Sequence, residues 1–161
     1  MEKKIVVILL TLISCFLFSQ NKLPSISLQN LNGEKVAINS LDSNKNPIIL
    51  SFWATWCMPC IKELSTINDV YEDWQDETNV ELIAISVDDS RTLKRVKPMV
   101  NGKSWEYEVL LDQNQELKRA FNVITVPHTF IIYKNEIIYN HSGYTPGTEE
   151  ELYDTLIKHT R

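Results

Sequence analysis

From Pro24 onward, short apolar runs of strand character alternate with segments whose apolar residues recur every three or four positions. Ile26 and Leu28 on one side, and Val36, Ala37 and Ile38 on the other, flank Asn32-Gly33, a dipeptide suited to a tight hairpin turn, so the chain is expected to open with a small β-hairpin. Pro47 introduces Ile48 to Ala54, a continuous apolar run of the kind found in the middle of a sheet. From Pro59, which a first helical turn tolerates, Cys60, Leu64, Ile67, Tyr71 and Trp74 form a stripe, with Lys62, Glu63, Asp69, Glu72 and Asp73 off it. That spacing predicts one amphipathic helix.

Val80 to Val87 reads as a second buried strand, and Asp88-Asp89-Ser90 offers an N-cap for a helix through Met99 with Leu93, Val96 and Val100 on one face. A βαβ unit is implied. Glu108 to Leu111 follows as a short strand, Asn114 to Phe121 as a short helix, and Thr129 to Tyr133 and Glu136 to His141 as two strands joined by Lys134-Asn135. The pattern closes on a helix, with Thr148-Glu149-Glu150-Glu151 as its capping box ahead of Leu152, Leu156 and Ile157. No repeat or linker interrupts this order, and 161 residues at 43% hydrophobic content make one α/β domain.

The first 19 residues stand apart from it. Glu2-Lys3-Lys4 is a charged start, Ile5 to Phe18 is a 14-residue apolar and small-residue stretch, and Gln20-Asn21-Lys22 returns to polarity. A bilayer-spanning helix needs about 20 apolar residues, so this is the pattern of a secretory signal peptide, residues 1–19, ahead of a domain over 20–161. Cleavage is expected after Ser19, and the mature protein is expected in the periplasm. Leu12-Ile13-Ser14-Cys15 resembles a lipobox that would leave a lipid tether at Cys15, but Phe16-Leu17-Phe18 behind it is apolar where a lipoprotein turns polar.

Removing residues 1–19 takes away Lys3, Lys4 and Glu2, which leaves 14 basic and 20 acidic side chains and a net charge of −6. An acidic surface without basic clusters lacks the footprint that nucleic acid requires. Two cysteines remain, Cys57 and Cys60, and in an oxidising compartment an isolated pair three residues apart suits a working redox couple better than a stapled framework.

Their setting supports that chemistry. A Cys-x-x-Cys between a buried strand and a helix puts the first sulfur at a helix N-terminus, where free N–H groups and the dipole favour thiolate. Cys57 is then the nucleophile, and Cys60, one turn on, is placed to resolve the mixed disulfide. The same spacing serves as half of a zinc site, yet beyond Cys15 the chain offers only His128, His141 and His159, with no second pair at zinc spacing, and no metal is expected. An inert staple is the other alternative, and a poor one, because so small a ring strains disulfide geometry.

Phe52-Trp53-Ala54-Thr55-Trp56-Cys57-Met58-Pro59-Cys60, taken with Thr125-Val126-Pro127-His128-Thr129-Phe130, resembles the thioredoxin superfamily. The N-terminal hairpin, the additional helix and strand and the export signal narrow the resemblance to the TlpA/ResA branch of periplasmic thiol–disulfide oxidoreductases. It implies a thioredoxin-like fold: a central mixed β-sheet flanked by helices, with an N-terminal β-hairpin and a helix–strand insertion between residues 88 and 111. It also implies a cis peptide between Val126 and Pro127 packed against the dithiol, with Val126 pairing its backbone to the substrate chain.

Thioredoxin itself carries a buried Asp where this chain has Ser51, so a proton acceptor for Cys60 must come from elsewhere. In the TlpA/ResA branch a glutamate in the register of Glu63 is associated with the site, which implies that Glu63 tunes Cys60 and takes its proton. The plain alternative for Glu63 is a solvated carboxylate favoured by the first turns of its helix. Trp56 is expected to line an apolar rim against which substrate packs, Trp53 to lie in the core, and His128 to be a strand residue at a surface edge rather than a base.

These readings converge on an exported enzyme that reduces disulfides in periplasmic proteins, apocytochrome c among the candidates. It would need no cofactor beyond the redox-active Cys57–Cys60 disulfide and would be recycled by a membrane-bound dithiol donor. A peroxiredoxin-like peroxidase is a second reading, against which Thr55 lies two rather than three residues before Cys57. A chaperone-like peptide binder with an idle dithiol is a third.

Overall fold

The computed structural model describes residues 23–160 apart from 42 and 44; the expected signal peptide and Cys15 lie outside the described residues. β1 (Ser27–Asn30) and β2 (Lys35–Ala37) form the expected hairpin, Leu28 opposite Val36. Its turn is held by Asn30, whose Oδ1 accepts from the N–H groups of Asn32 and Glu34 at 3.0 Å each, and Gly33 supplies the left-handed φ of +83° that a side chain resists.

β3 (Ile48–Trp53) is buried at every position. It pairs parallel with β4 (Glu81–Ser86) on one side and antiparallel with β6 (His128–Tyr133) on the other. β5 (Glu108–Leu111) extends the parallel set beside β4 and carries β1 antiparallel on its outer side, while β7 (Glu136–Ser142) closes the far edge against β6. The result is one mixed sheet in the order β2-β1-β5-β4-β3-β6-β7. Lys134 and Asn135, both left-handed at φ of 52° and 63°, make the turn between β6 and β7.

Successive side chains of β3 leave opposite faces, and each face builds its own aromatic cluster. Phe52 meets Phe121 and Phe130 at centroid distances of 5.7 and 6.0 Å. Trp53 meets Trp105 edge-on at 5.0 Å, and Trp105 continues to Tyr107 at 5.5 Å. On the Trp53 face lies α1 (Met58–Asn68), whose Leu64 carbonyl accepts from the Tyr107 hydroxyl at 3.2 Å. The other helices are α2 (Tyr71–Thr78), α3 (Val96–Lys103), α4 (Glu116–Ala120) and α5 (Thr148–Thr160). The helix–strand insertion between residues 88 and 111 is thus α3 with β5.

Four local expectations differ. The single helix from Pro59 to Trp74 is two, broken at Asp69-Val70, where Val70 leaves helical geometry at φ −123°, ψ 3°. The break delivers Tyr71 to the sheet edge, where its hydroxyl accepts from the Leu82 N–H at 2.9 Å, just before β5 begins to pair with β4 at Ile83–Glu108. The helix expected from Asp88 begins only with a 3-10 turn at Leu93–Arg95, because Asp88 is occupied elsewhere. In α5, Thr148 is the first helical residue rather than the cap; its hydroxyl donates to the Thr145 carbonyl at 2.7 Å, and Glu151 takes the Tyr139 hydroxyl instead of closing a capping box. The helix expected from Asn114 starts at Glu116, capped from outside by buried Asp112, whose carboxylate accepts from the N–H groups of Glu116 and Lys118 at 2.8 Å each.

Candidate active site

The chain leaves the carboxyl end of β3 through Ala54-Thr55-Trp56 and starts α1 with Cys57 as its N-cap. This turn is built from both ends. Cys57 N–H donates to the Ala54 carbonyl at 3.0 Å, and Cys57 Sγ in turn lies 3.3 Å from the Cys60 N–H, the geometry by which a helix start favours negative charge on sulfur. Cys57 and Cys60 are joined in a disulfide. Cys57 retains 6% of its surface whereas Cys60 is fully covered, so only the first sulfur meets an incoming group.

Asp88, read above as a helix cap, is the support beneath this turn. Fully buried at the end of β4, its carboxylate accepts from the Thr55 N–H at 2.8 Å, the Thr55 hydroxyl at 2.6 Å and the Ser86 hydroxyl at 2.9 Å. Three donors offset the large cost of removing a carboxylate from water. The two strands therefore stay locked together past the point where their ladder ends.

Glu63 lies one turn beyond Cys60 and, contrary to its expected place off the apolar stripe, is 1% exposed on the inner side of α1. Its Oε1 accepts from the Thr129 hydroxyl at 2.8 Å, and Ser51 Oγ stands 3.2 Å from the same hydroxyl. Oε2 has no hydrogen-bond partner among the described residues. Burial, against the partial compensation from Thr129 and with added repulsion from Glu149, pushes the Glu63 carboxyl from 4.5 up to about 7. A group that exchanges a proton near neutrality thus sits one turn from the resolving sulfur.

β6 supplies the opposite wall. The Val126–Pro127 peptide is cis, and the pairing of Phe52 with His128 carries Val126 and Pro127 alongside the segment that follows β3. The Pro127 carbonyl is taken by the Gly143 N–H at 2.8 Å, but no backbone hydrogen bond engages Val126 among the described residues. Four large apolar side chains of the described residues stand out in solvent, Trp56 at 58%, Met58 at 72%, Ile124 at 85% and Ile137 at 52% exposed, and of these Trp56 and Met58 flank Cys57 in the chain. Trp53 is buried against Trp105, while the His128 ring stacks on Phe130 and sets Nε2 2.7 Å from Asn140 Oδ1. Among the described residues no three His, Cys, Asp or Glu side chains are placed to hold a metal ion.

Sequence reasoning singled out Cys57, Cys60, Glu63, Trp56, Val126 and Pro127, and the structure gathers the first three on the opening turns of α1. It missed the partners Thr129, Ser51, Thr55 and Asp88. Thr129 stood in the Val-Pro-x-Thr-Phe motif as a visible signal; Asp88 stood in a polar run whose obvious use was a cap.

Residues 19–141 match the AhpC/TSA family. The thiol-disulfide oxidoreductase ResA of Bacillus thuringiensis subsp. konkukian is 31% identical over 138 residues, 85% of this chain and 76% of that protein. Among solved structures, an uncharacterized thioredoxin-like protein from Porphyromonas gingivalis is 49% identical, with a TM-score of 0.75 over 86% of this chain and 91% of that one. A putative thiol:disulfide interchange protein DsbE from Chlorobium tepidum shares the fold at 22% identity, with a TM-score of 0.74 over 85% of this chain and 94% of that one.

Two outcomes are expected from the buried carboxylates. Unfolded Glu63 releases its proton near 4.5 and folded Glu63 near 7, so between these values the folded state holds more protons and acid favours the fold. Its contribution is complete below about pH 4.5 and falls by about 3 kcal/mol as the pH rises through 7. Urea unfolding of oxidised protein should accordingly show Glu63→Gln gaining about 3 kcal/mol more over the parent at pH 8 than at pH 4.5; equal gains at both would refute the shift. Asp88→Asn turns one acceptor into a donor facing donors and should cost about 2 kcal/mol in the same measurement.

Proposed function

The chain belongs to the AhpC/TSA family and is a thiol–disulfide oxidoreductase of the ResA type, and we propose that it acts as an exported reductant of disulfides in periplasmic proteins. The observation that carries this reading is the Cys57–Cys60 disulfide at the start of α1 with buried Glu63 one turn further on.

In the reduced enzyme the Cys57 thiolate attacks one sulfur of a substrate disulfide. A mixed disulfide forms and the substrate's other sulfur leaves as a thiolate, which takes up a proton. Glu63 then accepts the proton of the Cys60 thiol, and the Cys60 thiolate attacks Cys57 Sγ, closing the enzyme disulfide and releasing the second substrate thiol. Two electrons pass to the substrate, and a membrane-bound dithiol donor returns them. The unengaged backbone of Val126 suits strand-like pairing with the substrate chain, and Trp56 an apolar contact beside the attacked sulfur. Apocytochrome c cysteines before haem attachment are one substrate of the required kind. Export and the donor rest on the signal-peptide pattern of residues 1–19.

Peroxide reduction, the alternative for this fold, would need Thr55 free to serve the sulfur. Its hydroxyl is instead committed to Asp88 at 2.6 Å, which supports exchange over peroxide chemistry.

Equilibrated against thiol buffers, the Cys57/Cys60 couple should titrate as two electrons at a potential near −270 mV; a value near −120 mV would make the protein an oxidant instead. Cys60→Ser should accumulate a mixed disulfide through Cys57, visible as a mass adduct, and Cys57→Ser none. For the proton step, the rate of reduction of a protein disulfide should rise with pH through an inflection near 7. Glu63→Gln should lose the inflection and run on the order of 100-fold slower above it, and an unchanged profile would remove Glu63 from the mechanism.

A further inference from the structure

A shallow groove of about 530 Å³ runs from the dithiol along the side of α1. Met58, between the two cysteines, opens it; Ile61 forms its floor; Tyr144 and Pro146, from the loop between β7 and α5, wall one side. Tyr144 is pinned there by its hydroxyl, 3.3 Å from Thr66 Oγ1. Lys62, on α1, and Lys103, in the last turn of α3, bring two cations to the lining. Trp56, Val126 and Pro127 do not line this groove, so it is a surface additional to the one that pairs with the substrate backbone.

Charge distinguishes the groove from the rest of the molecule. The chain carries a net charge of −5, yet two exposed lysines share this lining, and neither forms an ion pair or hydrogen bond among the described residues. Glu149, at the start of α5, accepts from the Gly147 N–H at 3.1 Å and also interacts with the Tyr144 hydroxyl of the groove wall, but it forms no ion pair with either lysine. The lining thus pairs an apolar floor with cations that have no internal partner.

We propose that this groove is an exosite for the polypeptide flanking the substrate disulfide, and that it selects an acidic segment: an Asp or Glu carboxylate at Lys62 and Lys103, with an apolar neighbour over Met58, Ile61 and Tyr144. The spacing sets the register. Five helical residues from Cys57 to Lys62 advance about 7.5 Å, and two extended residues span about 7 Å. A carboxylate two residues from the cysteine that Cys57 attacks matches that rise along the helix. The inference rests on the disulfide-exchange reading and adds to it the charge of the preferred partner.

The test uses the reduced full-length protein and disulfide-bridged peptides that differ only in carrying Glu, Gln or Lys two residues before or after the attacked cysteine. The Glu peptide should react three- to tenfold faster than the Lys peptide in low salt, the gap closing at high ionic strength as exposed charges are screened. The charge-reversed double variant Lys62→Glu, Lys103→Glu should invert the Glu-to-Lys rate ratio. Equal rates for all three peptides, or a ratio unmoved by the reversal, overturn the exosite while leaving the exchange activity standing. Reaction with none of them overturns both.

Discussion

A carboxylate without access to water fixes where the dithiol stands. Parallel strands β3 and β4 hold register up to Trp53 opposite Ser86, and the ladder gives its last bond from the Val87 N–H to the Trp53 carbonyl at 2.9 Å. Beyond that point, backbone pairing no longer dictates the path of either chain. Asp88 takes over the task, binding Thr55 through both its amide and its hydroxyl. With Thr55 held, the Ala54–Cys57 turn closes and α1 begins at one residue, so Cys57 becomes a cap rather than a loop thiol. Every later element of the site, from the buried Cys60 to Glu63 one turn on, inherits its position from that starting residue.

Glu63 shows the opposite economy. Asp88 has three donors and answers a structural need; Glu63 has one, with Oε2 left without a partner among the described residues, and its environment raises its proton affinity. An apolar residue there would cost the fold less. Residues that break local rules in this way gather at sites of chemistry, and this is the ground for the proton-transfer role proposed for Glu63. The Thr129 hydroxyl on β6 tethers the carboxylate, so the cis-proline strand both walls the site and aims its acid.

How much of this was legible depended on whether a residue's role is written in its neighbours along the chain. Periodicity located the seven strands of the described residues and four helical stretches, the first of which holds two of the five helices, since strand runs such as Ile48 to Trp53 and stripes such as Cys60, Leu64 and Ile67 are local signals. The Asn32-Gly33 turn and the Cys-x-x-Cys helix start were equally plain. What failed was decided across the fold. Val70 breaks a helix whose stripe is continuous, because Tyr71 must reach Leu82. Glu63 reads as polar surface by its neighbours Lys62 and Asp69, and only the arrival of β6 buries it. Asp88 reads as a cap because capping is the local use of an Asp before a helix, while its true partner lies 33 positions earlier.

The hairpin at the amino end carries a consequence of orientation. β1 is antiparallel to β5, so it begins at the end of the sheet where β3 and β4 finish and the dithiol sits, three strands to one side. That offset is about 14 Å at the usual strand spacing. Ahead of β1 the chain turns back, the Ile26 N–H donating to the Pro24 carbonyl at 2.8 Å, and Leu23 and Ser25 share a pocket with Leu41 and with Asn135 of the β6–β7 turn, at the end of β3 remote from the dithiol. The first described residues are thereby led off the face that carries the reactive sulfurs, which stays open to an incoming chain.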